Sequence, residues 1–421
     1  MAVYLLMLAG ILVLFTAFSS HLLSLAVQPR WLIALSVALV VLALAWTGVI
    51  VWSFLLVRPP STDTVGRFLT TALTLALCGL VLIPTVYAAR LAYLSRDVVN
   101  TLFSSDGQAA LAHDPWNGAR HVNFLLLGGD AAPGRPGVRT DSVTVASVDT
   151  TSGETVLFGL PRNLQRIQLP AGPARDRFPT GFTGDGNADT PGLLNEIFQY
   201  AEDHPDLVPG VPKGKRGPTL IKQTVGDILG IPVSYYALID MKGFAQMIDA
   251  IGGVRVTIKQ PIVYGKYREG LLPAGTRKLS GEEALWFGRS RTDSDDYVRM
   301  GRQKCLLNAV AKQADPMTVL NSFERLAALT KRSISTDIPQ QVLPGVVDLA
   351  QKMKGTKMRS LSFVPPLVDT ANPDWRLIRR KVAEALDEQR RPTARPATAN
   401  PQKPVAVQSP DQPISLDSTC G

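Results

Sequence analysis

The segment from His121 to Asp130 reads HVNFLLLGGD, and the rest of the chain can be read outward from it. Residues 122–127 form a short apolar run, broken only by Asn123, that stops at Gly128-Gly129. That is the pattern of a strand buried on both faces. Two further strands are predicted at 142–148 and 155–158, joined by a tight turn over 149–153. A Gly/Pro/Asp-rich stretch over 170–192 reads as a long loop, a kind of segment that is usually functional. A helix is predicted over 218–229, with Pro218 early and Gly230 just past its end. A strand (235–239), a helix (243–251) and another strand (254–258) follow. Ser280 and Glu283 have the spacing of a capping box at the start of a short helix. Residues 298–313 and 338–353 read as amphipathic helices, 358–364 as a late strand and 375–389 as a last helix. Strands alternating with helices make residues 121–388 one layered α/β domain.

Upstream the composition changes. Residues 3–27, 31–57 and 68–89 are three apolar runs, each near or above the ~20 residues that a helix needs to cross a bilayer. We therefore expect three transmembrane helices within residues 1–95 and a juxtamembrane linker over 96–120. A cleaved signal peptide is the alternative for the first run, but it lacks a basic start and two more spans follow. Arg58 and Arg67 in the second link, against Arg30 in the first, place the N-terminus in the cytoplasm and the large domain outside. Residues 389–421 hold prolines 392, 396, 401, 404, 410 and 413 and read as a disordered tail.

Composition excludes several function classes. The chain has 421 residues, 46% of them hydrophobic and 19% charged, which is not the balance of a disordered protein. Three cysteines support neither a disulfide framework nor a four-thiolate zinc site. Cys305 and Cys420 would share the oxidising outer side, where thiols can pair; the looseness of the tail argues against it. His21, His113, His121 and His204 lack the spacing of a helical zinc-hydrolase motif. No Gly-x-Ser-x-Gly elbow occurs, and Gly210 to Lys215 is not a phosphate-binding P-loop. Asp185, Asn187, Asp189 and Glu196 fit four positions of a calcium loop, but Thr190 stands where glycine is required. The net charge of +9 comes without any nucleic-acid recognition pattern, so nucleic acid is not an expected partner.

Four short segments carry the chemistry: Gly128-Gly129-Asp130 with Arg139-Thr140-Asp141-Ser142; Leu160-Pro161-Arg162-Asn163; Arg289-Ser290-Arg291; and Asp296 to Gln303. Strand ends can bring Asp130, Asp141 and Arg162 to one sheet edge, where α/β proteins commonly bind ligands. Arg289 and Arg291 point to one side of an extended segment, and Arg299 and Gln303 share a helix face. The set offers guanidinium forks for phosphate oxygens and two carboxylates for a divalent metal. The remaining basic residues read as ordinary surface.

In this order the segments, with Asp249 to Val254 and Leu279 to Leu285, resemble the LytR-CpsA-Psr (LCP) family of cell-envelope glycopolymer ligases. The resemblance implies an extracytoplasmic α/β sandwich, a mixed sheet flanked by helices, and transfer of a glycopolymer from a polyisoprenyl-pyrophosphate carrier to a peptidoglycan sugar hydroxyl. It implies a membrane location, a phosphodiester product and hydrolysis of the carrier as a side activity. Mg²⁺, or Mn²⁺, would be held by Asp130 and Asp141. Arg162, Arg289, Arg291, Arg299 and Gln303 would hold the pyrophosphate, joined by Arg139 and Arg302 from the same segments. Asp141, Arg162, Arg289, Arg291 and Arg299 form the implied catalytic set, with Asp141 or Asp296 as proton acceptor. The chain departs from the family at Asn163, where an aspartate is usual; an amide cannot act as a base. That departure keeps a second reading open, a non-catalytic scaffold that holds lipid-linked glycans.

Overall fold

The structure is a computed structural model that describes residues 29–57, 64–102, 115–130, 138–186, 191–265, 267–292, 294–314, 334–390 and 411–420. Two long helices open it, α1 (Pro29–Val57) and α2 (Thr64–Leu102), and they pack on each other. Their apolar stretches, Ile33–Leu56 and Phe68–Arg90, are 24 and 23 residues long and almost wholly unburied. At 1.5 Å per residue each suffices for the ~30 Å of a bilayer core. Among the described residues these are the two candidate spans; the first of the three predicted runs, residues 3–27, lies outside them.

The domain begins with β1 (His121–Gly129), β2 (Thr140–Asp149) and β3 (Thr155–Leu160), followed by α3 (Pro173–Arg177), α4 (Ile197–Asp203) and α5 (Arg216–Leu229). Next come β4 (Tyr235–Asp240), α6 (Met241–Ala250), β5 (Val254–Ile258), β6 (Ile262–Tyr264), β7 (Gly270–Leu272) and β8 (Gly275–Leu279). Then α7 (Gly281–Arg289), α8 (Asp296–Gln313), β9 (Ile334–Thr336), α9 (Leu343–Lys354), β10 (Met358–Ser362) and α10 (Trp375–Arg390) complete the predicted span. Last stand β11 (Ile414–Ser415) and α11 (Leu416–Cys420).

Seven strands form one mixed sheet in the order β11-β10-β3-β2-β1-β4-β9. β1 runs parallel to β4 and β3 to β10, so β1, β3, β4 and β10 all end on the same edge. On one face Leu125, Val145 and Phe158 pack against Ile221 and Val225 of α5 and Ile378 and Val382 of α10. On the other, Leu126 and Leu157 meet Leu307 of α8 and Leu416 of α11. A sheet covered on both faces explains why β1 and β3 read as near-continuous apolar runs. A smaller layer, the β5–β8 ribbon and the β6–β7 hairpin, packs beside α6, α7 and α8.

One correction concerns the tail, predicted to be disordered over 389–421. Residues 411–420 instead fold back: β11 pairs with β10, Leu416 is buried, and Cys420 is bonded to Cys305 of α8, with Cα atoms 5.4 Å apart. Lys381 reaches Asp411 at 2.9 Å, and Lys312 pairs with Asp417. The two residues of β11 and the single turn of α11 are too short to leave a periodic signal. Their stability comes from what they touch.

Candidate functional site

The common edge where β1, β3 and β4 end positions the site. Between Gly128 and Gly129 the β1–β2 register slips, so that Gly129 pairs with Thr140 and Asp141 is displaced from the ladder. Such bulges re-aim side chains at strand ends. The main-chain carbonyl of Arg139 accepts from the N–H of both Asp130 (2.9 Å) and Asp141 (3.1 Å), which makes the two aspartates neighbours.

Arg162, two residues past β3, donates from Nη1 to Asp141 Oδ1 at 2.7 Å, and its Nε lies 3.4 Å from Asp296 Oδ1. Asp295 caps α8 by accepting from the Val298 N–H at 2.8 Å, which sets Asp296 and Arg299 in its first turn. Asp296 is ringed by guanidinium groups: Arg299 at 3.0 Å, Arg162 at 3.4 Å and Arg291 at 3.7 Å. Arg299 is buried and also donates to the Asp141 carbonyl at 3.0 Å.

Burial works to raise the Asp141 pKa, but the hydrogen bond and charge of Arg162, the Asn195 amide and Arg299 outweigh it, and the carboxyl is held below the usual range. For Arg162 burial works downward and is outweighed by its bond to Asp141 and by the charges of Asp141, Asp296 and Asp130, which hold it above the ordinary arginine value. Asp141 and Arg162 are therefore both charged at neutral pH.

Below it lies a cavity of about 370 Å³ between the sheet and α6, α7 and α8. Asp130, Asp141, Arg289, Arg299 and Gln303 line its polar mouth. Leu126, Leu238, Phe244, Met247, Leu307 and Val310 are among the apolar side chains that line the rest. A larger open groove, about 900 Å³ between α5 and α10, contains none of the four chemical segments.

The sequence-predicted residues divide accordingly. Asp130, Asp141, Arg289, Arg299 and Gln303 line the mouth, while Arg162 and Arg291 join them through Asp141 and Asp296. The Arg289 guanidinium sits 5.5 Å from the Trp286 ring centre, and Gln303 donates to the Gly288 carbonyl at 3.1 Å. Arg302 faces elsewhere. It donates to the Ser290 carbonyl and, at 2.9 Å, to Ser294, and so ties down the loop that carries Arg291. Arg139 is exposed, and its side-chain charge acts on buried Glu196. Asn163 turns to Thr370 Oγ1 at 3.5 Å.

Two residues were not legible in advance. Asn195 is buried and donates to Asp141 Oδ1 at 3.2 Å, while its own N–H is bonded to the Arg162 carbonyl at 3.1 Å. Lys304 is buried against Gly159, where a Cβ would meet its Nζ at 2.6 Å, and it donates to Ser362 Oγ. Desolvation pulls the Lys304 pKa down to about 7. Between pH 7 and the unfolded lysine value near 10.5 the unfolded chain holds a proton that the native chain lacks, so stability rises with pH in that window. The slope is at most about 1.4 kcal/mol per pH unit. Lys304→Met should abolish that rise in urea titrations at pH 7, 8 and 9; an unchanged slope would show that Lys304 is not its source.

Among the described residues no three His, Cys, Asp or Glu side chains converge into a metal cage. Mg²⁺ usually takes one or two carboxylates and completes its shell with water and substrate phosphates. Neighbouring Asp130 and ionised Asp141 fit that donor set.

A family model described as LytR_cpsA_psr family matches residues 96–373. Among curated relatives, the polyisoprenyl-teichoic acid–peptidoglycan teichoic acid transferase TagU of Oceanobacillus iheyensis is 26% identical over 224 residues, 53% of this chain and 60% of that protein. Regulatory protein MsrR of Staphylococcus aureus is 24% identical over 225 residues, 52% of this chain and 57% of that protein. The chain thus spans about 60% of the length of the relatives it matches. The crystal structure of B. subtilis TagV is 23% identical, with a TM-score of 0.45, and covers 64% of this chain and 98% of that one.

Proposed function

The chain belongs to the LytR_cpsA_psr family, and from that membership we propose that it is a phosphotransferase that moves a glycopolymer from a polyisoprenyl-pyrophosphate carrier to a peptidoglycan sugar hydroxyl. The observation that supports this reading most is a ring of arginines around two carboxylates at the mouth of an apolar cavity. That juxtaposition suits a ligand with a pyrophosphate head and a hydrocarbon tail. The name borne by TagU, a teichoic acid transferase, points to the same class of chemistry. The Cys305–Cys420 disulfide is in keeping with a domain outside the cytoplasm.

In the proposed reaction the acceptor hydroxyl oxygen bonds to the phosphorus attached to the glycopolymer. The bridging P–O bond breaks, and the polyisoprenyl monophosphate leaves with the electron pair and takes up the proton that the acceptor hydroxyl releases. Phosphoryl transfer of this kind depends on position and charge neutralisation more than on covalent help. Arg162, Arg291 and Arg299 exchange their carboxylate partners for phosphate oxygens, and Arg289 and Gln303, at the same mouth, bind further ones. Mg²⁺, carried on Asp130 and Asp141, would supply further neutralisation across the pyrophosphate. Asp141 keeps a low proton affinity because Asn195 and Arg162 both hold Oδ1, so its part is to orient and to attract cations. Leu126, Phe244, Met247 and Leu307 keep water from the hydrocarbon end.

The test is direct. Full-length protein with a polyisoprenyl-pyrophosphate-linked saccharide, peptidoglycan fragments and Mg²⁺ should yield the phosphodiester adduct and polyisoprenyl monophosphate by mass spectrometry, and a chelator should suppress both. Carrier bound without either product would make the chain a glycan-holding scaffold instead.

A further inference from the structure

The four ion-clamp segments do not account for the positive charge of the chain. Residues 254–279 contain six basic residues and one acidic residue, a net +5 within a whole-chain +9. This segment builds the β5–β8 ribbon and the β6–β7 hairpin. On the ribbon Arg255, Arg277 and Lys278 are all exposed. Among the described residues none of the three has an ion-pair partner, although exposed arginines elsewhere commonly do, Arg177 with Asp206 for one.

The register makes this costly. Arg255 lies directly opposite Lys278, and Arg277 is opposite Val256, its immediate neighbour. Like charges facing each other across an antiparallel pair destabilise it. Val254, Val256, Ile258 and Leu279 fasten the ribbon from beneath, so the fold tolerates the repulsion without needing it. Features that oppose local stability mark function more often than chance does.

Position indicates which anion the ribbon meets. Gln313, the last residue of α8, accepts from the Arg255 N–H and donates to its carbonyl, both at 2.7 Å. Arg299, in the clamp, is at the other end of that helix, about 21 Å away at 1.5 Å per residue. The ribbon therefore flanks the apolar end of the cavity, where Val310 and Ile334 line it, and not the phosphate mouth. Ile334 belongs to β9, the strand that α2 touches. The strand that lines this end of the cavity is thus in contact with the helix whose apolar stretch is long enough to span a bilayer.

We propose that the basic β5–β8 ribbon docks on the anionic headgroups of the membrane surface and so holds the apolar end of the cavity against the bilayer. The proposal rests on α1 and α2 being a membrane anchor, and it does not require transfer to occur. Each cation adds little by itself, and the interaction weakens with salt. Several on one face of a domain already tethered to the bilayer are enough to set its orientation, because the tether supplies a high local concentration.

The test uses full-length protein in lipid nanodiscs. With Cys78→Ala to remove the free thiol, Thr276→Cys on the ribbon takes a fluorophore, and the lipids carry a quencher on their headgroups. Quenching should be strong in discs containing phosphatidylglycerol. It should fall about threefold in phosphatidylcholine discs, and by a similar factor in the Arg277→Gln/Lys278→Gln pair at equal anionic content. Lys278→Arg should keep it. Equal quenching in both lipid compositions would overturn the proposal, and that comparison needs no ribbon-charge substitution if the double variant folds poorly. Loss of lipid quenching to added polyphosphate at constant ionic strength would also overturn it, since the ribbon would then be a polymer-binding surface.

Discussion

Arg162→Ala should lower the rate of glycopolymer transfer by a factor on the order of 10³ to 10⁵, the range seen when an arginine that stabilises a transferring phosphoryl group is removed. In the resting site its guanidinium touches Asp141 at 2.7 Å and lies 3.4 Å from Asp296, so it bridges the first and last of the chemical segments. Without it, Asp141 and Asp296 lose a shared counter-ion, and an incoming pyrophosphate would meet more negative charge with one fork fewer. Arg162→Lys should recover little, because an ammonium cannot bond two oxygens in the plane of a fork. The fold should survive. Asp141 keeps the Asn195 amide and the nearby Arg299, so its carboxylate is not left without a partner. Rates from single-turnover transfer, set beside an unchanged circular dichroism spectrum, distinguish the two effects. Turnover within tenfold of the unsubstituted chain would remove Arg162 from the clamp, and with it the main support for the proposed chemistry.

The second large effect is on stability. Cys305 and Cys420 are 115 residues apart. A cross-link across so long a loop restricts the unfolded chain strongly, by up to about 4 to 5 kcal/mol in the chain-entropy account and typically 2 to 4 in practice. Cys420→Ser should lower the free energy of unfolding by an amount in that range, and Cys305→Ser by a similar amount. Dithiothreitol should reproduce the loss in the unsubstituted chain and have no effect on either variant. The noncovalent anchors of the tail, buried Leu416 and the Lys381–Asp411 pair, are modest by comparison. A change below about 1 kcal/mol would mean that the unfolded state is already restricted there.

How far the sequence could be read depended on whether a feature had local causes. The capping box at Ser280 and Glu283 is made entirely within four residues, and it is present: Glu283 accepts from the Ser280 N–H at 2.8 Å. Gly230 adopts the left-handed conformation that ends α5, as its position suggested. β1 and β3 were legible because burial on both faces leaves short, nearly continuous apolar runs, and β2 because Val143, Val145 and Val148 recur among Ser and Thr, with β-branched residues favouring a strand. The β6–β7 hairpin and β8 were not, because Gly270, Gly275, Arg277 and Lys278 give those strands no alternating apolar pattern. β9 has three half-buried residues and owes its existence to pairing with β4. In the site, the residue types of the clamp could be named, but their partners could not. Asp296 gathers three arginines from three separate segments. Asn195 reaches Asp141 across 54 residues, from a 3₁₀ turn with no motif of its own. Lys304 lies in a helix that otherwise reads as amphipathic, and only Gly159, far away in sequence, makes room for its side chain.

The fastening of the tail also imposes an order on biosynthesis. Cys305 emerges 115 residues before its partner, an interval of roughly 6 to 23 s at 5 to 20 residues per second. During that time α8, which carries Arg299 and Gln303, holds a lone thiol. The chain has just three cysteines, and the third, Cys78, lies in the apolar stretch of α2. With that helix in the bilayer, as proposed, these 421 residues would offer Cys305 no wrong partner.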